Sequence, residues 1–190
     1  MRLRTICAMS TLLFATGANA AWQFDPAQSQ ISATVTDQTS TGNVTTTHHI
    51  DQLDGTISDE GQLALPLRLS QLDMVGQLPP WLSSLADSQM AVIEADIDPS
   101  WLTGLTIGNS MTRNLPITVR GDHFTRSEQV PLRLTRLSQN GYTVTTAAPI
   151  EVDTRQLMQL DNAQVVMSLL GYHKLTDTIP VSLDAHLTRQ

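Results

Sequence analysis

The stretch from residue 61 to residue 70 has a leucine at every second position, and this spacing limits the local fold more than any other feature of the sequence. Its leucines are Leu63, Leu65, Leu67 and Leu69. Successive side chains of a strand point to opposite faces, whereas a helix would distribute these leucines around its axis. The spacing therefore predicts a half-buried antiparallel strand. Pro66 has no N–H for a β-ladder, so we expect it at an edge, a bulge or another position that needs no donor.

Apolar and polar residues alternate in several other stretches as well. We predict strands at residues 31–36, 44–57, 90–97, 115–119, 130–134, 142–146 and 179–187. In the second of these stretches the apolar side changes between Ile50 and Leu53, which indicates a bulge. Asn140-Gly141 lies between two alternating runs and predicts a hairpin. Helical spacing occurs instead at residues 153–171, where Gly171 is suited to the cap, and Pro79-Pro80 favours a short helix over residues 79–85.

Seven or eight short strands with one or two short helices predict a mainly β fold, either a sandwich or a closed antiparallel barrel. The sequence contains no repeat or low-complexity linker, so we expect residues 21–190 to form a single domain. A barrel of about eight strands can be filled by its own side chains or can hold one small ligand. Both arrangements use Leu, Ile, Val and Ala inside, so a filled core and an apolar ligand cavity both stay open at this stage.

The first twenty residues have the pattern of a cleavable signal peptide. Arg2 and Arg4 precede a mostly apolar run at residues 6–15, and Ala18-Asn19-Ala20 is a small-residue cleavage signal. The alternative is an uncleaved anchor, but the run is short for a membrane-spanning helix. We therefore expect export to the periplasm without stable insertion into a membrane. The single cysteine, Cys7, falls within this leader, so the mature chain has neither a disulfide nor a thiolate nucleophile.

Charge and motifs argue against several functional classes. Without Arg2 and Arg4 the eleven basic residues become nine, against eighteen acidic residues, so the formal charge is −9 with neutral histidines. A chain this acidic is not expected to bind nucleic acid. It has no nucleophile elbow, phosphate-binding loop or dinucleotide fingerprint, and its histidines lack the paired spacing of metal ligands. We therefore predict a protein that is not an enzyme and that binds neither a metal nor a cofactor.

Dispersed motifs along the mature chain resemble those of the YceI-like family of exported, lipocalin-like proteins that bind polyisoprenoids and related lipids. The first is Trp22-Gln23-Phe24-Asp25-Pro26 with Ser29 and Ile31. It is followed by Leu53-Asp54-Gly55-Thr56-Ile57, Leu67-Arg68-Leu69-Ser70-Gln71-Leu72-Asp73 and Leu115-Pro116-Ile117-Thr118-Val119-Arg120-Gly121. The family's Arg-Asp-x-His-Leu segment is not visible, and Leu78-Pro79-Pro80-Trp81-Leu82 stands near its place. A helical stretch around residues 165–171 replaces the family's glycine- and phenylalanine-rich segment.

The resemblance implies a periplasmic, lipocalin-like barrel that holds an extended apolar chain such as a polyisoprenoid or a quinone. Its expected lining is Leu63, Leu65, Leu67, Leu69, Leu132, Leu134, Val181 and Leu183. We place Trp81 and Leu82 at the mouth, and His48 could form a hydrogen bond with a ligand head group. The alternative function is a non-enzymatic structural or interaction module of the cell envelope with a filled core. The sequence leaves the ligand and the oligomeric state open.

Overall fold

The computed structural model describes residues 20–73, 88–158, 167 and 171–189, and most of them are in strands. The strands are β1 (Ala20–Phe24), β2 (Gln30–Thr39), β3 (Gly42–Ile50), β4 (Thr56–Ser58), β5 (Gln62–Arg68), β6 (Gln89–Asp96), β7 (Ser110–Arg120), β8 (Thr125–Ser138), β9 (Gly141–Thr146), β10 (Ile150–Asp153) and β11 (Thr178–Thr188). The helices whose bounds lie within the described residues are α1 (Pro99–Thr103) and α2 (Thr154–Leu157). Residues 1–19 of the predicted leader 1–20 and the predicted helix at residues 79–85 lie outside the described residues.

Eight of the strands form a closed antiparallel barrel, as predicted. Their order is β1-β4-β5-β6-β7-β8-β9-β11, and β11 pairs with β1 through Leu187 opposite Phe24 to close the ring. The sandwich alternative is therefore wrong. Closure pairs β1 with β11, the two strands that would be the edges of these eight strands in an open sheet.

The last strand, β11, connects the barrel with the remaining strands. One edge of β11 pairs with β9 and then β10, and the other edge pairs with β1 and then β2. The β2–β3 hairpin thus projects from the barrel wall as an extension of β11. The predicted alternation of β11 is confirmed, because Ile179, Ala185 and Leu187 are buried.

The stretch with alternating leucines forms β5, but Leu69, its last leucine, does not lie on the same face of the strand as the other three. Leu63, Leu65 and Leu67 lie opposite Ala95, Ile93 and Ala91 of β6. The strand ends at Arg68, whose N–H donates to Gln71 Oε1 at 2.6 Å, and Leu69 begins a 3₁₀ turn, Leu69–Gln71. The prediction that Leu69 continues the inward row is therefore wrong, because a side-chain acceptor replaces the strand ladder there.

Pro66 occupies a position that tolerates its missing donor. The ladder between β4 and β5 includes only Leu63 and Ala64 of β5, so Pro66 lies beyond the end of that pairing. On its other side it lies opposite Val92 of β6. This is one of the environments predicted for Pro66.

The bulge predicted between Ile50 and Leu53 is not observed. The structure instead has two strands, β3 and β4, separated by residues 51–55 in irregular conformation. Gln52 has φ of 57°, and Leu53 is fully buried in the core. The chain leaves the projecting hairpin here and enters the barrel wall, a change of direction that one bulge does not accomplish.

The two long strands β7 and β8 extend well beyond the predicted runs at residues 115–119 and 130–134. They pair continuously from Ser110 opposite Thr135 to Arg120 opposite Thr125. The hairpin predicted near Asn140 is present between β8 and β9, with Ser138 opposite Gly141 and an irregular register after Arg136.

Helix α1 was not predicted, although its start has recognisable chemistry. Asp98 Oδ1 accepts the N–H of Ser100 at 2.9 Å, and Pro99 occupies the first turn. An aspartate cap followed by proline is typical of a helix N-terminus. The helix follows β6 and contributes the buried Leu102 to the core.

The predicted helix at residues 153–171 is only partly within the described residues. Asp153 ends β10 rather than beginning a helix, and α2 starts at Thr154. At the other end Gly171 has φ of 83°, and the N–H of Tyr172 donates to the carbonyl of Met167 at 2.9 Å. This is the bond expected where a glycine caps a helix.

Candidate ligand-binding cavity

An apolar cavity lies inside the barrel. Its empty volume is about 560 Å³ when the space at its open mouth is included. The lining consists of Phe24, Ile57, Leu63, Ile97, Trp101, Leu102, Met111, Arg113, Leu115, Leu132, Leu134, Val144, Leu183 and Leu187. Thirteen of these fourteen side chains are apolar, so the lining provides few hydrogen-bonding partners to a ligand.

Alternation along the barrel strands directs these side chains inward. Met111, Arg113 and Leu115 are successive inward residues of β7, while Leu132 and Leu134 are their cross-strand partners on β8. Val144 of β9 and Leu183 of β11 belong to the same inward rows. The cavity is therefore built from strands that are distant in sequence and adjacent in the barrel.

Helix α1 supplies another part of the lining through Trp101 and Leu102. A buried tyrosine fixes its position, because the hydroxyl of Tyr142 donates to the carbonyl of Leu102. The Tyr142 ring also makes an edge contact with Trp22, with ring centroids 5.0 Å apart. Arg136 Nη1 donates to the carbonyl of Leu105 at 2.6 Å, just beyond the helix. These contacts hold α1 against the barrel.

Of the residues that the sequence predicted for the lining, four lie at the cavity: Leu63, Leu132, Leu134 and Leu183. Leu65 and Leu67 are buried in the hydrophobic core, and Val181 packs against that core. Leu69 is half-buried in the 3₁₀ turn. Trp81 and Leu82 lie outside the described residues, so their placement at the mouth stays a prediction.

His48 is not one of the lining side chains and already has partners for both ring nitrogens. Nδ1 lies 3.3 Å from Asp73 Oδ1, and Nε2 forms a hydrogen bond with the hydroxyl of Tyr172. Asp73 Oδ2 also accepts the N–H of His49 at 3.0 Å. The structure therefore shows His48 connecting β3 with two other segments of the chain, and its contact with a ligand stays a prediction.

Ten of the fourteen lining residues were not among those predicted for the lining; they include Trp101, Met111 and Arg113, which also lie outside every predicted strand. The predicted strand begins at Leu115, although Met111 and Arg113 precede Leu115 at two-residue spacing. That spacing is the signal that could have extended the predicted strand. Arg113 is the only charged side chain of the lining, and it is exposed.

Outside the cavity, the carboxylate of Asp37 is buried and connects two segments of the chain. Asp37 Oδ1 accepts the N–H groups of Lys174 at 2.7 Å and His173 at 3.1 Å. These backbone donors, Lys174 above all, hold the pKa of Asp37 below its ordinary value, although burial opposes them. Asp37 thus fastens the segment before β11 onto β2.

The chemistry of the described residues is limited. Within residues 20–73, 88–158 and 171–189, no group of three or more His, Cys, Asp or Glu side chains could hold a metal ion. Among the helices in this part of the chain, none has the length and apolar character needed to cross a membrane.

Comparison with solved structures shows that the fold of this chain is shared with proteins of known structure. One match is a polyisoprenoid binding domain from Saccharophagus degradans, described as implicated in plant cell wall breakdown. It is 20% identical with a TM-score of 0.75, and the match covers 90% of this chain and 100% of that domain. A second is Burkholderia cenocepacia BcnA, which is 14% identical with a TM-score of 0.52, over 86% of this chain and 98% of BcnA. No family model and no curated protein matches the sequence. The fold that the YceI-like resemblance implied is thereby confirmed.

Proposed function

We propose that this protein is a non-enzymatic periplasmic binding protein that sequesters or carries a long apolar ligand inside its barrel. The observation that carries the proposal is the open apolar cavity with thirteen apolar side chains in its lining. The ligand classes that suit it are polyisoprenoids, quinones and related lipids.

Burial energetics favour a long ligand over a short one. Each buried methylene group contributes about 0.8 kcal/mol, so ten of them contribute roughly 8 kcal/mol. Association costs on the order of 4–15 kcal/mol in lost freedom of motion. Burial of a short apolar molecule therefore contributes too little free energy to offset the cost of association, whereas burial of a chain of several isoprene units exceeds that cost.

Two further observations support the proposal. A solved domain with this fold binds a polyisoprenoid according to its description, and its alignment covers 90% of the present chain. The signal-peptide pattern before Ala21 supports export, which would place the barrel between the membranes, where lipids must cross water.

The test of ligand binding is mass spectrometry of the protein purified from its own periplasm. We expect native spectra to show a stoichiometric adduct and organic extraction to release a polyprenyl or quinone mass. If the native mass is that of the protein alone and added isoprenoids do not bind, the filled-core envelope module becomes the better account.

A pair of tryptophan substitutions tests whether the ligand occupies the cavity. Leu132→Trp adds bulk at the lining, whereas Leu137→Trp adds the same group to an exposed position of the same strand. We expect Leu132→Trp to lose most of the copurifying ligand and Leu137→Trp to retain it. Overpacking costs about 1–3 kcal/mol, so thermal unfolding must show that the Leu132 variant is folded. Equal ligand retention in two folded variants would contradict binding inside the barrel.

Export is tested separately from binding. N-terminal sequencing of the protein from a periplasmic fraction should begin at Ala21. An intact N-terminus in a membrane fraction would instead support the uncleaved anchor.

A further inference from the structure

The barrel wall is interrupted beside the cavity. β6 pairs with β7 only from Ile117 to Arg120, so the first half of β7 pairs with β8 alone. At this interruption the chain leaves β6 and forms α1, whose Trp101 is half-buried at the cavity. Among the described residues, no strand pairs with this edge of β7, and we call this gap in the ladder beside α1 the opening.

Arg113 stands at this opening. It belongs to the inward row of β7 between Met111 and Leu115, yet its side chain is exposed while Leu115 is buried. An inward charged residue in an apolar row has no role in filling a core. Its aliphatic stem can contact the apolar lining while the guanidinium stays in water at the opening.

The guanidinium has donors available for a ligand. Nη1 donates to the carbonyl of the adjacent Thr112 at 3.1 Å. Among the ion pairs between described residues, none includes Arg113, whereas Arg68, Arg120 and Arg155 each have a carboxylate partner. Outside its leader the protein has twice as many acidic as basic residues, yet among the described residues no carboxylate pairs with Arg113 at the cavity.

We propose that Arg113 binds the anionic head group of the cargo, so that the protein selects chains ending in an oxyanion over neutral chains of equal length. This inference rests on the proposed function, because it names the class of ligand that the cavity holds. The planar guanidinium suits a phosphate monoester or a carboxylate, since two parallel N–H groups match two oxygens. The apolar tail lies in the cavity while the head stays at the opening, where it keeps most of its hydration.

The test compares three ligands with the same tail on the delipidated protein: geranylgeranyl phosphate, geranylgeranoic acid and geranylgeraniol. Dissociation constants are measured by calorimetry for the unmodified protein, Arg113→Gln and Arg113→Lys. Arg133→Gln is the matched control, because Arg133 is exposed on the neighbouring strand and outside the cavity lining. The two acids distinguish a phosphate from a carboxylate head.

We expect the unmodified protein to bind at least one acid about tenfold more tightly than the alcohol, the size of one charge-assisted contact that is partly hydrated. Arg113→Gln should bind the acids and the alcohol with similar affinity, and Arg133→Gln should retain the preference for the acids. Arg113→Lys should keep part of the preference for acids, because the positive charge remains while the bidentate N–H geometry of the guanidinium is lost. Added salt should weaken acid binding by the unmodified protein much more than by Arg113→Gln.

The outcomes that would refute this inference differ from the outcome that would refute the proposed function. If the unmodified protein binds all three ligands equally, or if Arg113→Gln keeps the preference for acids, the role of Arg113 is refuted while lipid binding stands. If none of the three ligands binds, the proposed function itself is refuted.

Discussion

Replacing Tyr142 with phenylalanine tests how α1 is held against the barrel. The side chain is fully buried, and its hydroxyl donates to the carbonyl of Leu102. Phenylalanine retains the ring and its edge contact with Trp22 but leaves that carbonyl without this donor. The change therefore isolates one buried hydrogen bond.

The expected loss of stability follows from the interactions that the substitution changes. A net hydrogen bond contributes about 0.5–1.5 kcal/mol, and a buried acceptor left without a partner costs about 1–3 kcal/mol. The aromatic pair, worth about 0.5–1.5 kcal/mol, is retained. We therefore expect Tyr142→Phe to lower the free energy of unfolding by about 1–2 kcal/mol, or the melting temperature by roughly 2–8 °C for a domain of this size.

Alkaline pH adds a second, independent readout. Burial raises the pKa of Tyr142, and the Arg136 guanidinium opposes this only partly. The folded state therefore binds this proton more tightly than the unfolded state, and the stabilisation is lost as the pH rises above about 10. Phenylalanine has no such proton, so the stability difference between the two proteins should shrink at high pH.

The assay is urea unfolding followed by circular dichroism at pH 7 to 11. Tyr172→Phe is the control, because Tyr172 is only half-buried and bonds to His48 rather than to α1. A Tyr142→Phe protein within 0.5 kcal/mol of the unmodified protein at pH 7 would refute the role of this bond. Parallel pH profiles of the two proteins from pH 9 to 11 would refute the ionisation argument.

Two further predictions concern the fold. Because the pKa of Asp37 is lowered in the folded state, its carboxylate stabilises the fold above about pH 4, and this stabilisation is lost as the pH falls through the lowered pKa. Asp37→Asn should therefore be less stable than the unmodified protein at neutral pH and less sensitive to acid. An acid-unfolding curve, followed by tryptophan fluorescence, that is the same for both proteins would contradict this. Gly61 has φ of 89°, and a Cβ there would lie 1.8 Å from the carbonyl oxygen of Ile97, whereas Gly108 has φ of 86° with nothing within 4 Å. Gly108→Ala should cost about 1–2 kcal/mol for its backbone conformation alone, and Gly61→Ala should cost clearly more; equal melting temperatures would show that the contact with Ile97 relaxes.

Several features of the fold were predictable because their signals are local. The row from Leu63 to Leu67 and the alternation of β11 follow from the two-residue period of a strand with one buried face. The hairpin near Asn140 follows from turn chemistry. Each signal depends only on residues that are neighbours in the sequence.

Other features depend on contacts that a local pattern does not contain. Leu69 leaves the inward row because Gln71 accepts the N–H of Arg68, and this arrangement also requires Gln52, whose carbonyl accepts Gln71 Nε2. The two-residue period continues back from Leu115 to Arg113 and Met111, but the predicted strand covers only residues 115–119. Only the pairing of β7 with β8 shows that Arg113 belongs to an inward row.

The sequence by itself determined a mainly β domain with an aliphatic interior, because alternation specifies which side chains avoid water. The tertiary structure decided that the ring closes and, among the described residues, that an apolar cavity lined in part by the exposed Arg113 lies inside it. Aliphatic side chains alone did not distinguish a filled barrel from a hollow one. The difference depends on the distances across the barrel and on where α1 lies against it, and both are determined by contacts between residues far apart in the chain.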